Sequence, residues 1–154
     1  MRSGRVAVLL LLFLFTTGCG FFFNPDPAQN PLAPMPTPSQ SRLESFTGHP
    51  LPATASDILS AEGGFQDTIM WLRFDAPAAD VTTYVDSLSL EAPLSATAGP
   101  EQLTPSEEPW WEPETASQGA GGGYSIPAQN TFCRVYVDQS QTDLWRVYLV
   151  CFNT

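Results

Sequence analysis

Two tryptophans, Trp110 and Trp111, stand among four glutamates, Glu107, Glu108, Glu112 and Glu114. Carboxylates beside aromatic platforms are the equipment of glycoside hydrolysis, which needs two carboxyls about 5–9.5 Å apart across a sugar. Acids crowded into one loop define no such separation, so the segment reads as a solvated acidic loop pinned by tryptophan. His49 is the only histidine and lies between Gly48 and Pro50. A histidine-based triad needs a serine or cysteine beside it, and no G-x-S-x-G turn presents one. Gly121-Gly122-Gly123 has no strand before it and no helix after it, so it reads as flexible linker rather than a phosphate loop. Asp138, Ser140, Thr142 and Asp143 space their oxygens loosely like a calcium loop. They lack its glycine and its bidentate glutamate, and read as a polar hairpin turn. Two cysteines and one histidine fall short of a four-ligand zinc site. The expectation is a chain with no catalytic residue, no metal and no cofactor.

A different chemistry, recognition, is written into the C-terminal strands. Phe132 to Asp138 and Leu144 to Phe152 alternate with period two, and the short polar stretch Gln139 to Asp143 joins them as antiparallel neighbours. Cys133, Val135, Val137, Trp145, Val147, Leu149 and Cys151 make one apolar face. Arg134, Tyr136, Arg146 and Tyr148 fall on the other, expected to face solvent. Arginine and tyrosine are enriched where proteins bind proteins, so this array, with Trp110 and Trp111, is the candidate partner surface. The alternatives are ordinary solvent-facing cross-strand pairing and cover by the long loop. In the register that opposes Cys133 and Cys151, Val135 faces Leu149, Val137 faces Val147, Tyr136 faces Tyr148, Arg134 faces Val150 and Arg146 faces Asp138. The connection then tightens to about three residues, Gln141 to Asp143. Directly opposed residues lie within disulfide range, so Cys133 and Cys151 are expected to be bonded in an oxidising compartment.

Upstream, Asp57 to Ser60 reads as a short strand, followed by the turn Glu62-Gly63-Gly64. In Thr68 to Phe74, Met70, Leu72 and Phe74 share one face while Ile69, Trp71 and Arg73 share the other. Asp75-Ala76-Pro77 reads as a helix start with Asp80 near the positive end of the dipole. Val81, Tyr84, Val85 and Leu88 then form one apolar stripe. The stretch 91–129 is rich in proline and glycine and is expected to be a long irregular loop.

The 154 residues suffice for one domain and an anchor. Apolar residues make up 43% of the chain and aromatic ones 12%, enough for a packed core. Lysine is absent, which excludes a Schiff-base lysine and a P-loop lysine. Six arginines face sixteen acids, a net charge of −10. Such a surface repels phosphate backbones and counts against nucleic acid.

The N-terminus speaks of export. Arg2 and Arg5 precede ten consecutive apolar residues, Val6 to Phe15, and then Thr16-Thr17-Gly18-Cys19. A charged start, an apolar run and small residues make a secretory signal. Small residues ending directly in cysteine resemble the lipobox of bacterial lipoproteins. The resemblance covers the first 19 residues and implies cleavage before Cys19, with Cys19 acylated as the mature N-terminus. Losing Arg2 and Arg5 leaves four arginines against sixteen acids, a net charge of −12. The alternative is an uncleaved signal anchor over Val6 to Phe23, whose 18 uncharged residues suffice for a tilted span. Either way the domain lies outside the membrane. Asn24 to Ser41 carries Pro25, Pro27, Pro31, Pro34, Pro36 and Pro38, which favours an extended polyproline II spacer.

The expected organisation is a signal peptide over 1–18, a lipidated N-terminus and linker over 19–45, and a single domain over 46–154. Its expected class is α+β, in the order β-β-α-loop-β-β, with one helix covering a small antiparallel sheet. The middle and C-terminal parts resemble small envelope lipoprotein domains of bacteria. The functional expectation is a non-enzymatic binding or structural module in the cell envelope, with an envelope protein as partner. The alternatives are a small envelope hydrolase acting on glycans and an accessory subunit of an envelope complex or transporter.

Overall fold

The computed structural model describes residues 38–64 and 66–153. The signal segment, Cys19 and most of the proline-rich spacer lie outside the described residues.

The first element is a short helix, α1 (Gln40–Thr47). Ser39 caps it, its hydroxyl accepting from Arg42 N at 3.3 Å, and Gly48 ends it at φ 75. A small polar residue before the helix and a left-handed glycine after it are the ordinary end signals. Leu43 and Phe46, three apart, bury against the sheet. The Tyr124 hydroxyl donates to the free carbonyl of Thr47 at 2.9 Å and holds the helix end. This helix begins inside the stretch expected to be linker, so the described residues hold two α-helices rather than the one expected.

Five antiparallel strands follow: β1 (Ser56–Gly63), β2 (Thr68–Pro77), β3 (Gly119–Ile126), β4 (Thr131–Asp138) and β5 (Leu144–Asn153), in the order β1-β2-β5-β4-β3. The second helix, α2 (Ala78–Ser87), leaves directly from β2. The class is α+β, as expected; the element order α-β-β-α-β-β-β is not the one expected.

β4 and β5 pair in the anticipated register: Cys133 with Cys151, Val135 with Leu149, Tyr136 with Tyr148, and Asp138 with Arg146. Cys133 and Cys151 are bonded, with α-carbons 4.1 Å apart, and both are fully buried. The connection is longer than anticipated, residues 139–143, because β4 ends at Asp138, where Gln139 N donates to the Gln118 carbonyl at 2.8 Å. β2 likewise runs on through Asp75-Ala76-Pro77, and α2 starts only at Ala78.

One sheet face is closed by helices. Met70, Leu72, Phe74, Val135, Val147 and Leu149 point into it, each 1% exposed or less. Val81, Tyr84 and Val85 of α2, with Leu88 at its C-terminal cap, cover them, the rings of Phe74 and Tyr84 meeting edge to face with centroids 5.4 Å apart.

The larger correction is β3. The run Gly121-Gly122-Gly123, expected to be linker, forms a strand at the sheet edge. Its outer side is not open. Ser95 and Gly121 exchange backbone hydrogen bonds of 2.9 and 3.0 Å, and Glu91 N donates to Gly123 O at 2.9 Å. A β-carbon on Gly121 would lie 2.5 Å from the Ala98 carbonyl oxygen, so glycine there permits the close approach. Segment 91–98 thus seals the edge, a common protection against strand addition. Past it the chain passes to the other sheet face. Among the described residues no helix is long and apolar enough to cross a membrane.

Candidate functional site

The second sheet face carries Trp71, Arg73 and Asp75 of β2, Arg146, Tyr148 and Val150 of β5, and Arg134, Tyr136 and Asp138 of β4. It was expected to face solvent, and it does not. Residues 99–116 lie across it as a strap, leaving Tyr136 only 4% and Tyr148 only 1% exposed. Leu103, Trp111, Tyr136, Tyr148 and Val150 form a second buried cluster. Trp111 meets Tyr148 edge to face at 5.4 Å, and Trp110 meets Trp111 in the same way at 5.8 Å. The tyrosine–arginine array is therefore a floor under the loop, not an open binding face. The physical reason is its composition: two phenol rings and an indole offer too much apolar surface to leave in water.

The strap is fastened by side chains of the sheet. Trp71 Nε1 donates to the Thr104 carbonyl at 3.1 Å, and an Arg73 guanidinium nitrogen donates to the Trp110 carbonyl at 2.9 Å. Arg134 donates to the Gln102 side-chain carbonyl at 3.2 Å and lies over the Phe132 ring. At its far end Ser140 Oγ accepts from Ser117 N and Gln118 N, while Asp138 accepts from Ser140 N. The residues spaced like a calcium loop thus serve as a fastening turn. Among the described residues no three metal-ligating side chains converge.

Arg146 has Asp138 and Asp75 opposite it on the two flanking strands, and its side chain goes to Asp75. The pair is bidentate, Nε to Oδ1 at 2.7 Å and the other nitrogen to Oδ2 at 2.8 Å. Asp75 is 4% exposed, so the fork supplies the charge and hydrogen bonds a buried carboxylate requires. The Asp75 hydrogen bond holds the Arg146 guanidinium well above its ordinary range. Burial raises the Tyr148 phenol, against the opposing pull of the Arg146 hydrogen bond and charge and the Arg73 charge. Burial also raises the Tyr136 phenol, helped by the negative charges of Asp138 and Glu101. Both phenols stay protonated and act as packing and hydrogen-bonding groups, not nucleophiles.

What the strap leaves open is a cleft of about 580 Å³, lined by Pro100, Glu101, Leu103, Pro105, Ser106, Trp111, Pro113 and Glu114. Of the four glutamates beside the tryptophans, only Glu114 lines it; Glu107, Glu108 and Glu112 are exposed elsewhere on the strap. Glu101 also lines it, and the sequence reasoning missed it. Its signal was local: Gly99-Pro100 starts a short 3-10 turn that carries Glu101 and Gln102. A second groove, about 610 Å³, runs beside α2 between Val81, Val85, Leu90, Leu94 and Trp145. The strap cleft is the more specific of the two, because it places two carboxylates beside an indole and three prolines. His49 stands apart, edge to face with Tyr124 at 5.8 Å between ring centroids, and burial lowers its pKa. Against known proteins, the chain matches no family model, no curated protein sequence and no solved structure.

Proposed function

We propose that this chain is a cell-envelope lipoprotein, held by acylated Cys19 to the outer side of a membrane, whose domain is a non-enzymatic binding module. The observation that carries the reading is the fastened strap. An irregular, proline-rich segment held at both ends and in the middle presents a preformed cleft, and preformed sites lose little entropy on binding. The buried Cys133–Cys151 bond supports the extracytoplasmic placement, since such bonds persist in oxidising compartments. The proline-rich spacer would hold the cleft away from the membrane surface.

A photoreactive residue replacing Ser106, in the full-length protein in its own envelope, tests the reading. The expected result is a discrete protein adduct that is absent when the same residue replaces exposed Ala128. Equal labelling from both positions rejects it. Substituting Cys19 with alanine should abolish acylation and release of the leader, and continued processing would reject the anchor. The competing reading, a glycan hydrolase, draws on Trp111 and two glutamates lining one cleft. It predicts glycan cleavage that Glu101→Gln or Glu114→Gln removes.

A further inference from the structure

The acids of the strap form no ion pair among the described residues. Of the four arginines in the described domain, Arg42 and Arg146 are in ion pairs, with Glu62 at 2.9 Å and with Asp75 at 2.7 Å, while Arg73 and Arg134 bond neutral groups of the strap, the Trp110 carbonyl and the Gln102 side chain. Lysine is absent. The strap holds Glu101, Glu107, Glu108, Glu112 and Glu114 with no basic residue between 99 and 118, and none of these acids is in a salt bridge among the described residues. Two of them, Glu101 and Glu114, share the cleft with Trp111, Leu103, Pro105 and Pro113. The cleft therefore joins an apolar, aromatic wall to two carboxylates that form no ion pair among the described residues. That combination complements a side chain with an apolar stem and a cationic head, which only arginine and lysine supply.

We infer that the cleft docks an extended basic segment of an envelope protein, with an arginine or lysine stem against Trp111 and the prolines and its charge between Glu101 and Glu114. This rests on the binding-module reading above and names its partner class. The charge of the whole domain works in the same direction, since a strongly negative surface speeds encounter with a basic partner and slows it with an acidic one. A neutral sugar would use the indole but would leave the two carboxylates without a charge partner.

The test uses the full-length chain in detergent and a short oligo-arginine peptide, with oligo-glutamine as control, read by tryptophan fluorescence and calorimetry. The peptide should bind, and binding should weaken as salt rises. Glu101→Gln with Glu114→Gln should weaken it about tenfold, while Glu107→Gln with Glu108→Gln, outside the cleft, should change it less than about twofold. Both cleft glutamates are exposed, so the substitutions leave the core untouched. Reversing both to lysine should transfer binding from oligo-arginine to oligo-glutamate. Equal weakening by the two glutamine pairs would mean diffuse charge attraction and overturns the inference. So does free spermine binding as tightly as the peptide, or a neutral oligosaccharide binding independently of Glu101 and Glu114. A Ser106 adduct without oligo-arginine binding overturns this inference alone; loss of the adduct removes the binding-module reading with it.

Discussion

The two faces of this sheet are covered in opposite ways. On one, α2 lays an aliphatic and aromatic stripe over Met70, Leu72 and Phe74. On the other, an irregular strap lies over Tyr136 and Tyr148. The difference follows from what each face must satisfy. The helix-covered face is mostly aliphatic, and its Tyr124 hydroxyl finds the Thr47 carbonyl left over at the end of α1, so helices that spend their other carbonyls internally are a sufficient cover. The strap-covered face presents an indole N–H from Trp71 and a guanidinium from Arg73, which need acceptors once buried. A non-helical segment has free carbonyls to offer, and those of Thr104 and Trp110 are used. Irregularity is thus the form of cover that a polar-tipped aromatic face requires. It also leaves the concave gaps from which a recognition cleft is made.

The sharpest way to break this comparison is Trp111→Ala. If the strap is a second core, the loss should be ~3–5 kcal/mol, comparable with Phe74→Ala on the helix side. Denaturant titration measures both. A cost under ~1 kcal/mol for Trp111 would reduce the strap to a surface loop. Hydrogen exchange should show residues 99–116 opening in the variant while the amides of α2 stay protected.

Removing the disulfide comes next, since Cys133 and Cys151 belong to the helix-covered face. The bond closes a separation of 18 residues, and Cys133→Ala with Cys151→Ala should cost ~3 kcal/mol. The cleft lies on the opposite face, so oligo-arginine binding by the remaining folded protein should be retained. Lost binding in folded variants would show that the faces are not independent.

Gly121→Ala probes the edge around which the chain passes between the faces. The added carbon would lie 2.5 Å from the Ala98 carbonyl oxygen, and displacing that backbone should cost ~1–3 kcal/mol. Exchange at the Ser95 and Gly121 amides should rise together. An unchanged stability would mean that segment 91–98 does not need this close approach.

The smallest effect belongs to His49, at the margin of the helix-covered side. Burial lowers its pKa from the ordinary 6.5, so the folded protein prefers the neutral ring. As pH falls below about 6.5 the unfolded chain takes up the proton first, and stability declines until the folded value is passed. Above that pH its contribution is complete. Thermal melts across this range should show a slight loss that His49→Gln abolishes, and none traceable to this residue at alkaline pH.

The comparison also explains what was legible in the residues. Alternation from Phe132 to Asp138 and from Leu144 to Phe152, with two cysteines of the same parity, put both cysteines on one face, and pairing them as a disulfide selected the β4–β5 register that is found. The spacing of Val81, Tyr84, Val85 and Leu88 determined the covering stripe of α2, because helical period is local information. Three things were decided only by the tertiary structure. Glycine has no side chain to alternate, so β3 became visible only when β4 and segment 91–98 paired with it from both sides. α1 is a short helix from a polar stretch, held by contacts of Leu43, Phe46 and the Tyr124 hydroxyl with distant strands. The strap has no period at all: its place is set by hydrogen bonds from Trp71 and Arg73 to carbonyls more than thirty residues away in sequence, and backbone carbonyls are the same in every residue type. The sequence could therefore name the aromatic face, and the long loop as one alternative cover for it, but not the carbonyls that fasten that cover.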